Sequence, residues 1–177
     1  MAFRDTTTLW KIAFGIQIIG FILGLIAFST NYLISMTELR NEIHAGLWKS
    51  CVNDECWSTK DFLASINKSI VWLDASIWMM SISVCAMFVT IIMTSLAFAR
   101  QRTKLMGFCT AGVAGLAVLF GVIGVAVAGG ESKRVFNSLH ENAALKLDWS
   151  FTLFMIVQLV FFVAGGLHAL DSRSNTQ

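Results

Sequence analysis

Apolar residues fall in four long runs, about Trp10 to Ile34, Val71 to Ala99, Leu105 to Ala128 and Trp149 to Leu170, with polar residues collected between them. A helix rises about 1.5 Å per residue, so roughly 20 apolar residues cross a hydrocarbon core. Each run is long enough. Because the runs are continuous and not alternating, they predict helices and not barrel strands. The expected fold is an all-α membrane protein, a four-transmembrane-helix bundle with spans at about 10–34, 71–99, 105–128 and 149–170. Two polar loops, about 35–70 and 129–148, lie on one side, and little chain is left over for a separate soluble domain. Residues 1–177 are therefore read as a single tetraspan domain. The first run is too long for a cleaved signal peptide and lacks a small-x-small cleavage site, so it is expected to stay as an anchoring helix.

Composition agrees: 56% of residues are hydrophobic, 14% are charged and proline is absent. Any helix kink must then come from glycine or a local bulge. Arg4, Lys11, Arg100, Arg102, Lys104 and Arg173 flank the spans on one side, against only Asp5 and Asp171. The opposite loops carry similar numbers of basic residues and more acids, so the signal is the concentration of three basic residues in the short 100–104 connection. By the positive-inside rule both termini are expected in the cytoplasm of a multi-pass plasma-membrane protein. A net charge of +2, dispersed along the chain, gives no support for nucleic-acid binding. No glycine-rich phosphate loop follows a strand, and nothing calls for a cofactor.

Lipid tails are as apolar as leucine, so bilayer helices associate by close packing at small residues. Candidates are Gly20-xxx-Gly24 in the first span, Gly107, Ala111 and Gly115 on one stripe of the third with Ala117 and Gly121 on another, and Gly165 with Ala169 in the fourth. These read as internal seams of the bundle, or as a face for self-association. Trp10, Trp72 and Trp149 lie near span ends, where indoles favour the headgroup zone; Trp78 lies deeper and is expected in the core. Gln17 and Gln158 are expected to hydrogen-bond across the bundle. No ionisable residue occupies the centre of a span, which argues against a pump or secondary transporter.

The 35–70 loop contains Gly46-Leu47-Trp48-Lys49-Ser50-Cys51 and, after four intervening residues, Cys56. Facing the oxidising side, Cys51 and Cys56 are expected to form a disulfide. Closing so small a ring stabilises by about 2 kcal/mol, so its purpose is local geometry, with Asn53-Asp54 as the turn between two short strands. Cys85 and Cys109 lie within spans and are expected as buried free thiols, Cys109 being near enough to the cytoplasmic end for palmitate. Asn67-Lys68-Ser69 is a glycosylation sequon placed close to the membrane. His44, His140 and Glu141 do not have metal-ligand spacing, and all three histidines, His168 included, are expected to be solvated or interfacial.

Gly46, Leu47, Trp48, Cys51 and Cys56, in this order and on this topology, resemble the claudin, peripheral myelin protein and epithelial membrane protein tetraspan superfamily. Its first outer loop carries a GLW-x-x-C motif followed by a second cysteine. The likeness covers the whole chain. The chain departs from the family in having Tyr32, not tryptophan, as the aromatic near the end of the first span, and its short cysteine spacing is closer to the epithelial membrane protein and peripheral myelin protein branch. The resemblance implies a small extracellular antiparallel β-sheet built from the first outer loop and part of the second. For Trp48 it implies either a plug that anchors the sheet to the bundle or a contact with a neighbouring cell's protein. Asp54, Glu55, Lys60 and Asp61 lie near the family's permeability-determining charges, or are simply a solvated loop surface. The ending Arg173-Ser174-Asn175-Thr176-Gln177 lacks the apolar last residue that a PDZ domain buries, which argues against direct scaffold binding.

Two functions follow as expectations. One is a structural protein that organises cell–cell contacts, a cell junction, a paracellular barrier or membrane architecture, through association with itself or related tetraspans in the lipid bilayer. The other is an auxiliary subunit that modulates gating or trafficking of an ion channel or receptor, as the related AMPA-receptor regulatory proteins and calcium-channel gamma subunits do. An enzyme is not expected, since no catalytic constellation is visible.

Overall fold

The computed structural model describes residues 8–38, 41–52, 55–65, 69–99, 104–137 and 144–174. Four long helices, α1 (Thr8–Ser29), α3 (Val71–Ala99), α4 (Lys104–Asn137) and α5 (Trp149–Ser174), form the bundle, each long and apolar enough to cross a bilayer. They are packed in the cyclic order α1, α3, α4, α5. At one end sit strands β1 (Ile34–Glu38), β2 (Asn41–Ala45), β3 (Lys49–Val52), β4 (Glu55–Ser58) and β5 (Ala144–Leu147), with the short helix α2 (Thr59–Ser65). The start of α1, the end of α3, the start of α4 and the end of α5 are at the other end.

The interior is built on a 3-4 repeat. Buried positions in α1 are Trp10, Ala13, Gln17, Gly20, Gly24 and Ala27; in α3 they are Leu73, Ser76, Met80, Ser83, Met87, Thr90, Thr94 and Ala97. In α4 the repeat runs through Gly107, Thr110, Ala114, Ala117, Gly121 and Gly124, and in α5 through Ser150, Phe154, Val157, Phe161, Ala164, His168 and Asp171. Spacings that average 3.5 residues are those of left-handed knobs-into-holes packing. Glycine, alanine, serine and threonine dominate the seams while Ile, Leu, Val and Phe cover the outside. That is the arrangement expected where lipid, not water, is the solvent, because association there depends on close approach.

Gly20 abuts Val160 and Phe161, Gly24 abuts Val157, Gly124 abuts Met80, and Gly165 abuts Ala114. The small-residue motifs are thus internal seams, except that Gly115 has open space where a Cβ would be. Both glutamines bond across the bundle: Thr94 Oγ1 donates to Gln17 Oε1 at 3.1 Å, and Gln158 Nε2 donates to Ser83 Oγ at 3.5 Å. Ser83 Oγ in turn donates to the Ala117 carbonyl at 2.7 Å.

Several expectations need correction. Helix α1 stops at Ser29 and not near 34, because the chain from Ile34 is taken up as strand β1 between β2 and β5; in the last turn Ser29 donates to Leu25 O, and Thr30 Oγ1 to Ala27 O. Helix α4 runs to Asn137 and not 128; Gly129 and Gly130 do not break it, since Ser132 and Val135 beyond them are buried. Trp78 is 70% exposed, not in the core. Gly24 and Val157 are level with Met87, so seven residues up α3 is level with the end of α1 and the start of α5. Trp78 and the half-exposed Trp149 consequently share one level near the sheet end, where an indole favours a membrane interface. Trp10, the first residue of its span, is fully buried, edge-on to His168 at 4.2 Å between ring centroids, so neither side chain is solvated. Cys85 and Cys109 are free but face outward from the bundle instead of being buried.

Candidate functional site at the sheet end

All strand pairs are antiparallel, in the order β4-β3-β2-β1-β5. The first loop supplies four strands and the second supplies β5, which pairs with β1 from Ile34↔Leu147 to Thr37↔Ala144. Leu33, Ile34, Leu47 and Leu63 share one buried cluster with Ala27, Leu73, Met80, Val125 and Phe154. Sheet and bundle therefore share a core.

The motif forms the β2–β3 connection. Gly46 N–H donates to Lys49 O at 2.9 Å, leaving Gly46-Leu47-Trp48 as a tight loop pressed onto the end of α1. An added Cβ at Gly46 would lie 2.6 Å from both Asn31 Cα and Thr30 O, backbone atoms that cannot swing away. Only glycine allows this approach. Leu47 is buried beneath the sheet. Trp48 Nε1 donates to Phe28 O at 3.1 Å, and its ring stands edge-on to Phe28 at 5.5 Å. It thus satisfies one of the carbonyls that the last turn of a helix leaves open. Of the two readings of Trp48, the anchoring plug has this geometry behind it, although 43% of the residue remains exposed.

Two hydroxyls brace the loop from behind. Thr59 Oγ1 donates to Gly46 O at 2.9 Å and lies 3.1 Å from Ser50 Oγ, while Thr59 N–H donates to Trp48 O at 3.1 Å. Thr59, and the bracing role of Ser50 within the motif, are not legible in the sequence because isolated hydroxyls in a loop have no distinguishing pattern. On the far side, Ser150 donates through Oγ to Tyr32 O at 2.9 Å, and Asp148 N–H donates to Leu33 O at 3.0 Å. Tyr32 stacks near His44 at 4.8 Å and Trp149 at 6.1 Å, with His44 Nδ1 3.6 Å from Asp148 Oδ2. The aromatic at the end of α1 thereby ties the second loop to the first.

Cys51 and Cys56 are bonded, directly opposite each other in the β3–β4 ladder with Cα atoms 4.0 Å apart. Glu55 and Asp61 are exposed; Lys60 Nζ reaches Asp74 Oδ1 at 2.6 Å and pins α2 to α3. An exposed pair of this kind contributes about 0–1 kcal/mol. The loop charges do not converge on one point: Lys60 turns to the bundle while Asp61 faces a groove beside Trp57. Asp54, the sequon asparagine Asn67, His140, Glu141 and the chain end at 175–177 lie outside the described residues. Among the described residues no three His, Cys, Asp or Glu side chains are grouped to hold a metal ion.

No protein-family model matches the chain, and comparison with characterised proteins returns no match.

Proposed function

We propose that this chain is a claudin-like tetraspan protein of the plasma membrane, organising cell–cell contacts or a paracellular barrier by lateral association and by its outer sheet. The observation that carries this reading is the mounting of the sheet. Gly46, Leu47 and Trp48 lock a five-stranded platform onto the bundle, and the disulfide stiffens its β3–β4 edge. A platform held so firmly suits recognition of another surface, since little ordering entropy is lost on contact. With the basic 100–104 connection in the cytoplasm, the sheet faces the extracellular side. The resemblance of the GLW-x-x-C motif to the claudin superfamily supports the same assignment.

The test is imaging of tagged protein in a mosaic of expressing and non-expressing cells. Enrichment at borders shared by two expressing cells is the expected result. Uniform surface staining that ignores the neighbour would contradict a contact role and favour the auxiliary-subunit function. Cys51→Ser is expected to reduce surface delivery, because the hairpin loses its cross-link before export.

A further inference from the structure

The β3–β4 register places Ser50 opposite Trp57 and Val52 opposite Glu55, so these four share one face, and the disulfide lies on the other. Helix α2 lies over the first face. It covers Ser50 completely through the Thr59 hydroxyl and buries Leu63 against the bundle, but it leaves Trp57 43% exposed. Between α2 and the hairpin remains an open cavity of about 470 Å³, lined by Val52, Trp57, Asp61, Phe62 and Ser65. That volume lies within the usual range for small-molecule sites.

The chemistry of the walls selects the ligand. Trp57 and Phe62 offer aromatic surface and Val52 an aliphatic floor. Ser65 turns its hydroxyl proton back to Phe62 O at 2.7 Å, so it does not present a donor to an anion. Asp61 is the one charged lining residue and makes no salt bridge among the described residues, because neighbouring Lys60 is engaged by Asp74. Glu55, on the same sheet face, adds a second exposed carboxylate. Aromatic faces beside an uncompensated carboxylate attract a cation, and apolar walls favour a weakly hydrated one over a metal ion.

We propose that the groove between α2 and the β3–β4 hairpin binds a quaternary ammonium group of the choline type, held by the Trp57 ring and the Asp61 carboxylate. The group arrives either as a free solute or on a phosphatidylcholine headgroup.

The test uses the full chain labelled with 5-fluorotryptophan, in phosphatidylglycerol nanodiscs, with the Trp57 ¹⁹F resonance assigned through Trp57→Phe. Choline chloride should shift that resonance saturably in the millimolar range, beyond sodium chloride at equal ionic strength. The neutral carbon isostere 3,3-dimethylbutan-1-ol should need about tenfold more for the same shift, and Asp61→Asn should weaken choline binding about fivefold. The other tryptophan resonances, unmoved in Asp61→Asn, report that this variant is folded. If the headgroup is the source, phosphatidylcholine nanodiscs place the Trp57 resonance at its choline-bound position without added choline, and Asp61→Asn returns it; a free-solute site shows no such lipid effect. A Trp57 resonance that stays put under choline in both lipids, or equal potency of choline and its isostere, or indifference to Asp61→Asn, overturns the proposal.

Discussion

Gly46 and Trp48 show what single residues contribute to the sheet's attachment. Gly46→Ala forces a methyl group to within 2.6 Å of the backbone at Thr30 and Asn31. A loss of about 1–3 kcal/mol is expected, read as a lower thermal midpoint of the purified protein. Gly115→Ala, which meets nothing within 4 Å, should be neutral or stabilising, by up to about 1 kcal/mol from helix propensity. Equal effects at the two glycines would refute the close-approach argument. Trp48→Phe keeps the ring contact with Phe28 but removes the Nε1 donor, and should lower stability by about 1 kcal/mol in the same melt. Both residues were marked in the sequence by their motif. What was not legible there was the reason, because Asn31 and Phe28 meet the loop only once α1 ends at Ser29 and the chain turns back.

Among the elements, the helices carry the clearest lesson. Their hydrophobic positions go nearly all the way round, so apolarity located each span but not its inward face. Small and polar residues line that face: Ser83, Thr90 and Thr94 in α3, and Gly107, Ala117 and Gly121 in α4, follow the 3-4 repeat, whereas Ala111 and Gly115, which share a stripe with Gly107 by sequence spacing, fall outside it. Depth along the span does not place Trp78 in the core, because the inward positions around it are Ser76 and Met80 and the side chain two residues from each faces out. Gly121→Val should push the Gln158 amide off Ser83 and part α4 from α5, since a Cβ there would be 2.4 Å from that amide. The expected cost is about 1–3 kcal/mol, whereas Gly112→Val, facing open space, should melt within about 0.5 kcal/mol of the parent. The hairpin cysteines were legible as a pair. Converting Cys51 and Cys56 together to serine should cost about 2 kcal/mol, and faster amide exchange confined to β3–β4 would verify that the bond is a local brace.

For the whole molecule, four spans and a sheet at one end fix which segments share a side. With Thr8→Cys and Lys133→Cys introduced separately, an impermeant maleimide applied to intact cells should label only the latter. Labelling of Thr8→Cys alone would invert the assigned orientation. The sheet's fifth strand could not be read from composition, since Ala144–Leu147 is a strand only through its pairing with β1. The GLW-x-x-C resemblance implies a second-loop contribution to the sheet, whereas local propensity does not. The proposed contact-organising role requires the protein to act through its own surfaces, and one measurement addresses this directly. The tagged chain should be extracted from its native cells in a gentle detergent and its companions identified by mass spectrometry. Recovery of this chain alone or with related tetraspans, as monomer or oligomer, is the predicted result; a channel or receptor recovered reproducibly at fixed ratio would contradict it.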